Sequence, residues 1–278
     1  MKTKLLLIAL LSVLIFSGCV SQRKEDILQK SFPCTAAGVL IEEAPEKVAV
    51  LSLELENVLR AFSLEGKIAA VSDLSSTECE YKAGNIYEPN VESIINSGSQ
   101  YVLTTLEMRN DILENLLENG VKVLVLSPPK NSSDLMKIYD TVSLMFFGSI
   151  DAPLKSETAF APYKAALDEL KTAAGGATFL YFSSRELSQP VNSFSFGILS
   201  EVFTASSQNS KLTEEELVAL NPTYIFLDEN CSEEYIRSLS SAENLSAVLE
   251  NNIISLPSDF FDTLMPEMVT ATRLLLFP

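Results

Sequence analysis

EKVAVLSLELENVLRAFSLEGKIAAVSD, Glu46 to Asp73, holds the pattern on which the fold turns. KVAVLS, Lys47 to Ser52, is a short Val/Ala/Leu run that reads as a strand buried on both faces. In LENVLRAFSL the period changes, and Leu55, Val58, Leu59 and Phe62 fall on one helical face. KIAAVSD, Lys67 to Asp73, returns to strand. A strand, a helix and a strand in so short a stretch predict parallel pairing with the helix outside the sheet.

The same alternation continues downstream. VESIINSGSQYVLTT from Val91 reads as a short helix, a turn and a strand, and NDILENLLENGVKVLVLS as a helix stopped at Gly120 and a further strand. The second half repeats this. When EEELVALNPTYIFLD from Glu214 is laid over the stretch from Val91, Glu92 falls on Glu215, Ile94 on Leu217, Ile95 on Val218, Tyr101 on Tyr224 and Val102 on Ile225. NNIISLPSD then corresponds to GVKVLVLSPP. Two similar halves predict two lobes of one architecture, although α/β units of this kind also resemble one another by chance. Between them SETAFAPYKAALDELKTAAGG, Ser156 to Gly176, spaces Phe160, Tyr163, Leu167 and Leu170 as one helical face and closes on Gly175-Gly176. This predicts a stiff linking helix that either starts near Pro162 or is kinked there. The expected fold is thus α/β: two similar lobes with mostly parallel sheets, joined by a single long α-helix.

At the other end, LLLIALLSVLIF follows Lys2 and Lys4, the basic and apolar regions of a secretory signal, and is too short to span a bilayer. Ser17-Gly18-Cys19 resembles the lipobox of bacterial lipoproteins, with Phe16 where an aliphatic residue is usual. That resemblance implies lipid attachment at Cys19 and a membrane anchor; ordinary secretion and a retained signal are the alternatives. The expected divisions are a signal at 1–18, a tether at 19–46, an N-terminal lobe at 47–150, the linking helix at 151–175 and a C-terminal lobe at 176–278.

Composition removes several classes of function. The 278 residues carry 37 Asp+Glu against 20 Lys+Arg, a formal charge of −17 that repels a nucleic-acid backbone. Histidine is absent, so Ser-His-Asp and Cys-His pairs and His-containing zinc sites are excluded. With 10 glycines and no Gly-rich phosphate-binding or nucleophile-elbow motif, no enzyme is indicated. No cofactor and no metal site are expected, because the carboxylates and tyrosines are not grouped at ligand spacing. Cys34, Cys79 and Cys231 allow at most one disulfide among themselves, or remain buried thiols. Cys79 and Cys231 both follow strands, from which they face each other across a crevice or serve no purpose there.

From Lys47 onward the serial order of these pieces resembles the helical-backbone substrate-binding proteins of ABC importers, the class that carries cobalamin, haem and ferric siderophores. The resemblance rests on the segment quoted first, NVESIINSGSQYVLTT, GVKVLVLS, GATFLYFSS, LTEEELVALNPTYIFLD and NNIISLPSDFF. Two departures are a shortened hairpin region, FPCTAAGVLIEEAPE, and the missing tryptophan near TASSQNS. The resemblance implies a monomer that captures a small metal chelate between its lobes and hands it to an ABC permease dimer. It further implies one glutamate per lobe that docks on permease arginines, by position Glu92 and Glu201.

Ligands of open α/β lobes bind beyond the carboxyl ends of the strands. That rule nominates Glu54, Asp73 and Arg109 in the first lobe, and Arg185 and Phe260 in the second. Arg109 and Arg185, one per lobe, suit an anionic ligand, unless each merely pairs with neighbouring acids. Tyr81, Tyr87 and Phe261 are further candidates for an apolar wall beside Phe260. The alternative to transport is a surface scaffold that uses the same fold without a small-molecule ligand.

Overall fold

A computed structural model describes residues 31–256 and 261–277. The signal, Cys19 and Phe260 therefore lie outside the described residues. The chain enters through a hairpin of β1 (Cys34–Ala36) and β2 (Val39–Ile41), turned by Ala37 and Gly38 at positive φ.

The N-terminal lobe contains β3 (Val48–Val50), α1 (Leu53–Ala61), β4 (Ile68–Val71), β5 (Tyr81–Lys82), α2 (Val91–Asn96), β6 (Tyr101–Thr104), α3 (Asn110–Glu118) and β7 (Lys122–Val125). Its sheet runs β5-β4-β3-β6-β7, parallel throughout. The C-terminal lobe contains β8 (Thr178–Phe182), α5 (Phe194–Val202), β9 (Thr204–Ala205), α6 (Glu214–Leu220), β10 (Tyr224–Leu227), α7 (Glu233–Ser238), α8 (Ser246–Leu249) and β11 (Ile253–Ser255). That sheet runs β11-β10-β8-β9, also parallel. The two orders correspond: β4-β3-β6-β7 in one lobe matches β9-β8-β10-β11 in the other. The internal repeat is therefore a repeat of topology, with α2 and β6 in the places of α6 and β10. The edge strands β5 and β9, two residues each, were not legible because two residues carry no period.

Between the lobes lies α4 (Ser132–Ala174), with non-helical backbone only at Gly148, φ 69° and ψ 176°. There the chain doubles back on itself. The Ser156 hydroxyl donates to Asp140 Oδ1 at 2.6 Å, the Ser143 hydroxyl donates to the Ala152 carbonyl at 2.8 Å, and the Tyr139 and Phe160 rings meet edge to face at 5.2 Å. Residues 132–147 and 149–174 are thus antiparallel arms, and the second is the linking helix. The expected start or kink at Pro162 is corrected: the backbone stays helical through Pro153 and Pro162, and the break falls at Gly148. Glycine is required there by the positive φ and because a Cβ would come within 2.5 Å of Ser31. The C-terminal α9 (Pro266–Leu276) packs along α4.

Alternation along the strands divides the interior into layers. Val48 and Val50, with Phe179 and Tyr181, face one core shared by both lobes and α4; Ala49 and Leu51 face the outer layer of the first lobe, and Leu180 and Phe182 that of the second. Burial on both faces is why these strands read as unbroken apolar runs. The lobes therefore meet through a common core as well as through the helix. Among the described residues no helix is long and apolar enough to cross a membrane.

Candidate functional site

In the N-terminal lobe the strand order reverses around β3 and β6, and a crevice opens at such a switch point. A cavity of about 450 Å³ lies there between the lobes. Glu54 reaches it from the first turn of α1, where the Ser52 hydroxyl caps the helix by accepting the Leu55 N–H. Thr105 follows β6, and Ser127 to Lys130 follow β7. The far wall is Asn192, Ser193 and Phe194 at the start of α5, with Asp262 and Leu264 beyond β11. Ser193 caps α5, its hydroxyl accepting the Phe196 N–H at 3.1 Å.

The crevice carries charges of both signs. Glu54 is half-buried and makes no salt bridge among the described residues; Asp262 stands across from it on the other lobe. Lys130 brings the opposing charge and makes no salt bridge among the described residues; Asp134, which accepts the Lys130 backbone N–H at 3.3 Å, is paired with the Lys137 amine at 2.8 Å. The Lys137 hydrogen bond, reinforced by that backbone donor, holds the Asp134 carboxyl below the usual range.

Of the nominated residues that lie among the described ones, Glu54 lines this cavity, and Asp73, Arg109 and Arg185 do not. Asp73 is exposed on the β4 side, its N–H donating to the Gly84 carbonyl. Arg109 points to solvent, 72% exposed, and gives Nε and Nη2 to Asp111 at 3.1 and 2.8 Å. Arg185 is exposed beside Cys231 and Glu234, against the outer layer of its lobe. The expectation of a facing arginine pair is corrected: the side chains leave their strands toward solvent, and Arg109 satisfies its fork locally. Tyr87 is 76% exposed, Tyr81 packs on the outer core of the first lobe, and Phe261 is buried in the shared core. Cys34, Cys79 and Cys231 are free thiols. Cys79 donates to the Ala69 carbonyl while Cys231 lies in the C-terminal core, so they do not face one another.

Sequence reasoning missed Ser127 to Lys130 and Asn192 to Phe194. The strand-end rule, extended to β7, reaches the first group. Only the Asn-Ser cap ahead of the apolar FSFGIL marks the second. Glu92 is exposed in the first turn of α2, and Glu215, its counterpart in the repeat, is exposed in the first turn of α6. Glu201 is half-buried, accepting the Ser132 N–H at 2.8 Å. It lines a larger groove of about 760 Å³ with Lys164, Asp168 and Lys171, but that groove runs along the helices and touches no strand end. Among the described residues no group of three Cys, Asp or Glu side chains is placed to hold a metal ion.

Solved structures share this arrangement. A possible iron-binding, periplasmic solute-binding protein from Staphylococcus epidermidis superposes with a TM-score of 0.67 at 16% identity, over 85% of this chain and 100% of that one. This is the two-lobe, helical-backbone binding-protein fold. The periplasmic haem-binding protein of Vibrio cholerae has it (TM-score 0.62, 14% identity, 84% of this chain and 99% of that one). So does the petrobactin-binding protein of Bacillus subtilis (0.61, 15%, 85% and 91%). In sequence alone, no family model and no curated protein matches. At these identities the likeness is one of fold, and within that fold the crevice between the lobes is the place where the two chain halves present their strand ends.

Proposed function

We propose that this chain is an extracytoplasmic solute-binding protein, anchored to the membrane through Cys19, that holds a small metal chelate of the siderophore, haem or cobalamin class and delivers it to an ABC permease dimer. The carrying observation is the cavity of about 450 Å³ at the strand ends, walled by both lobes and lined by Glu54, Thr105, Ser193 and Asp262. Its size and mixed lining suit a small molecule. The shared core and the helical hairpin limit relative movement, so capture proceeds with modest lobe closure. The anchor keeps the carrier at the membrane of its permease. In this reading the chain acts as a monomer.

Docking on the permease is assigned to one carboxylate per lobe. Glu92 supplies the first. For the second, the topological repeat favours Glu215 over Glu201: Glu215 occupies the position of Glu92 and is exposed, whereas Glu201 is engaged with Ser132. A scaffold role without ligand is the competing reading.

Thermal unfolding of the chain lacking residues 1–19, with cobalamin, haem and several ferric siderophores, tests the proposal. A ligand at about 100 times its Kd adds roughly 2.7 kcal/mol, or about 2–4 °C for a chain of this size. No shift with any member of the panel would favour the scaffold.

A further inference from the structure

The far wall of the crevice is held by a bond from the opposite lobe. Asn57, one turn along α1 from Glu54, gives its side-chain amide to the Thr263 carbonyl at 2.9 Å, across 206 positions of chain. The N–H of the same peptide group, that of Leu264, donates to the Phe261 carbonyl at 3.0 Å and closes a turn. Leu264 thereby stands at a φ of 57°, in the left-handed region that an L side chain enters at a cost. It is buried, and it lines both the crevice and a second cavity of about 250 Å³, whose other walls include Asn57, Tyr139 and Pro266. We infer that Asn57 is a positioning residue for the ligand. By fixing the peptide between Thr263 and Leu264 it holds Leu264 as the partition that ends the crevice on its far side, a role that rests on the crevice being the ligand site.

The neighbours of this bond do not duplicate it. The Thr263 hydroxyl is buried without a hydrogen-bond partner, and Arg60, the next donor along that side of α1, is paired with Glu56 at 3.2 Å. Phe261 is anchored in the shared core and Pro266 opens α9, so both ends of the turn are fixed. The change open to the segment between them is to turn the peptide over, which carries Leu264 from the left-handed to the extended region and its side chain out of the partition. Without Asn57 the Thr263 carbonyl loses its donor, and the cost of left-handed backbone at Leu264 acts in the same direction. The crevice and the second cavity then communicate, and a ligand loses its contact with that wall.

The test is nuclear magnetic resonance on the full chain in mild detergent, with isotope-labelled threonine and leucine. The sequence has two Thr-Leu pairs, Thr105-Leu106 and Thr263-Leu264, so the Leu264 signal is identified by elimination, and its Cα and Cβ shifts report the sign of φ. Asn57→Asp keeps the side-chain shape, removes the donor and sets an anion against the carbonyl. In that variant the Leu264 shifts should move from left-handed to extended values. Asn57→Ala should move them the same way and serves if the aspartate prevents folding; Val121→Ala, a truncation in the outer layer of the first lobe, should leave them unchanged. Calorimetry with ferrichrome, haem and cobalamin reads binding. Any of these that binds the unaltered chain should bind Asn57→Asp about five- to tenfold more weakly, and Val121→Ala within about twofold. Circular dichroism melts confirm that the variants are folded. Unchanged Leu264 shifts in the folded Asn57 variants overturn the positioning role while leaving chelate binding in place. So does a loss of affinity that is the same in Asn57→Asp and Val121→Ala, or absent from both. No binding of any of the three probes to the folded, unaltered chain overturns the ligand reading of the crevice, and the role of Asn57 in it, whatever the Leu264 shifts show.

Discussion

Gly197 in α5 lies so close to Lys130, just ahead of α4, that a Cβ on the glycine would stand 1.8 Å from the Lys130 carbonyl oxygen. The contact joins the C-terminal lobe to the segment leaving β7, and both Lys130 and the start of α5 line the crevice. Backbone cannot yield as a side-chain tip would. Gly197→Ala should therefore cost about 2–4 kcal/mol in urea unfolding, or else widen the crevice and weaken ligand binding at unchanged fold. A variant with native stability and native affinity would show that the lobes are free to separate there.

One turn along α5, the Glu201 carboxylate from the second lobe accepts the first N–H of α4, while Asn131 caps the same terminus by accepting the Asp134 N–H at 2.9 Å. A negative group is favoured at that end of a helix. Glu201→Ala should lower stability by about 1 kcal/mol in the same assay. An unchanged unfolding midpoint would free Glu201 for docking.

Glu92 and Glu215 present the opposite case. Both are exposed, and exposed substitutions of this kind change stability within about 0.5 kcal/mol. In Glu92→Gln with Glu215→Gln, ligand affinity and melting temperature should be retained while ligand-stimulated ATP hydrolysis by the reconstituted permease falls at least tenfold. Full stimulation would remove both residues from the docking surface.

Tyr163 is 1% exposed, and its hydroxyl has no hydrogen-bond partner among the described residues. A buried hydroxyl without a partner is a cost that phenylalanine does not carry. Tyr163→Phe should raise stability by about 1 kcal/mol, and a loss of that size would reveal a partner for the hydroxyl.

Alkaline pH should unfold the chain earlier than it would a protein with exposed tyrosines. Burial, helped by Glu267, pushes Tyr139 up to about 12, and burial pushes Cys231 up to about 11. Unfolding lets these groups ionise near their ordinary values, so between those values and the raised ones the native state holds protons that the unfolded state has released. Their contribution is complete below about pH 9 and declines as pH rises toward 12, for Tyr139 by roughly 3 kcal/mol. Denaturant titrations from pH 8 to 12 should show this slope, and Tyr139→Phe should flatten it. A pH-independent midpoint would contradict the burial of these groups.

The layers of the fold were legible because its signals are local. The change of period between Lys47 and Leu64 and its return by Asp73 follow from residues adjacent in the chain, and the match of Val91 onward with Glu214 onward follows from two copies of one αβ unit. Glu54 was also within reach, since the residue after a central strand is placed by the strand itself. Arg109 and Arg185 misled for the same reason: a strand-end position fixes where a backbone ends but not where a long side chain turns, and Arg109 turned to Asp111 two residues away.

The sequence by itself determined the central strands of both lobes, the helices with a clear period, their order and the doubling into two lobes, because hydrophobic period and helix caps act over a few residues. Only the tertiary structure decided that the helix folds back at Gly148, that Gly197 meets Lys130, and that Glu54 and Asp262 share one crevice. Those pairings join segments far apart in the chain, where close packing of a shared core, rather than local preference, sets which groups come together.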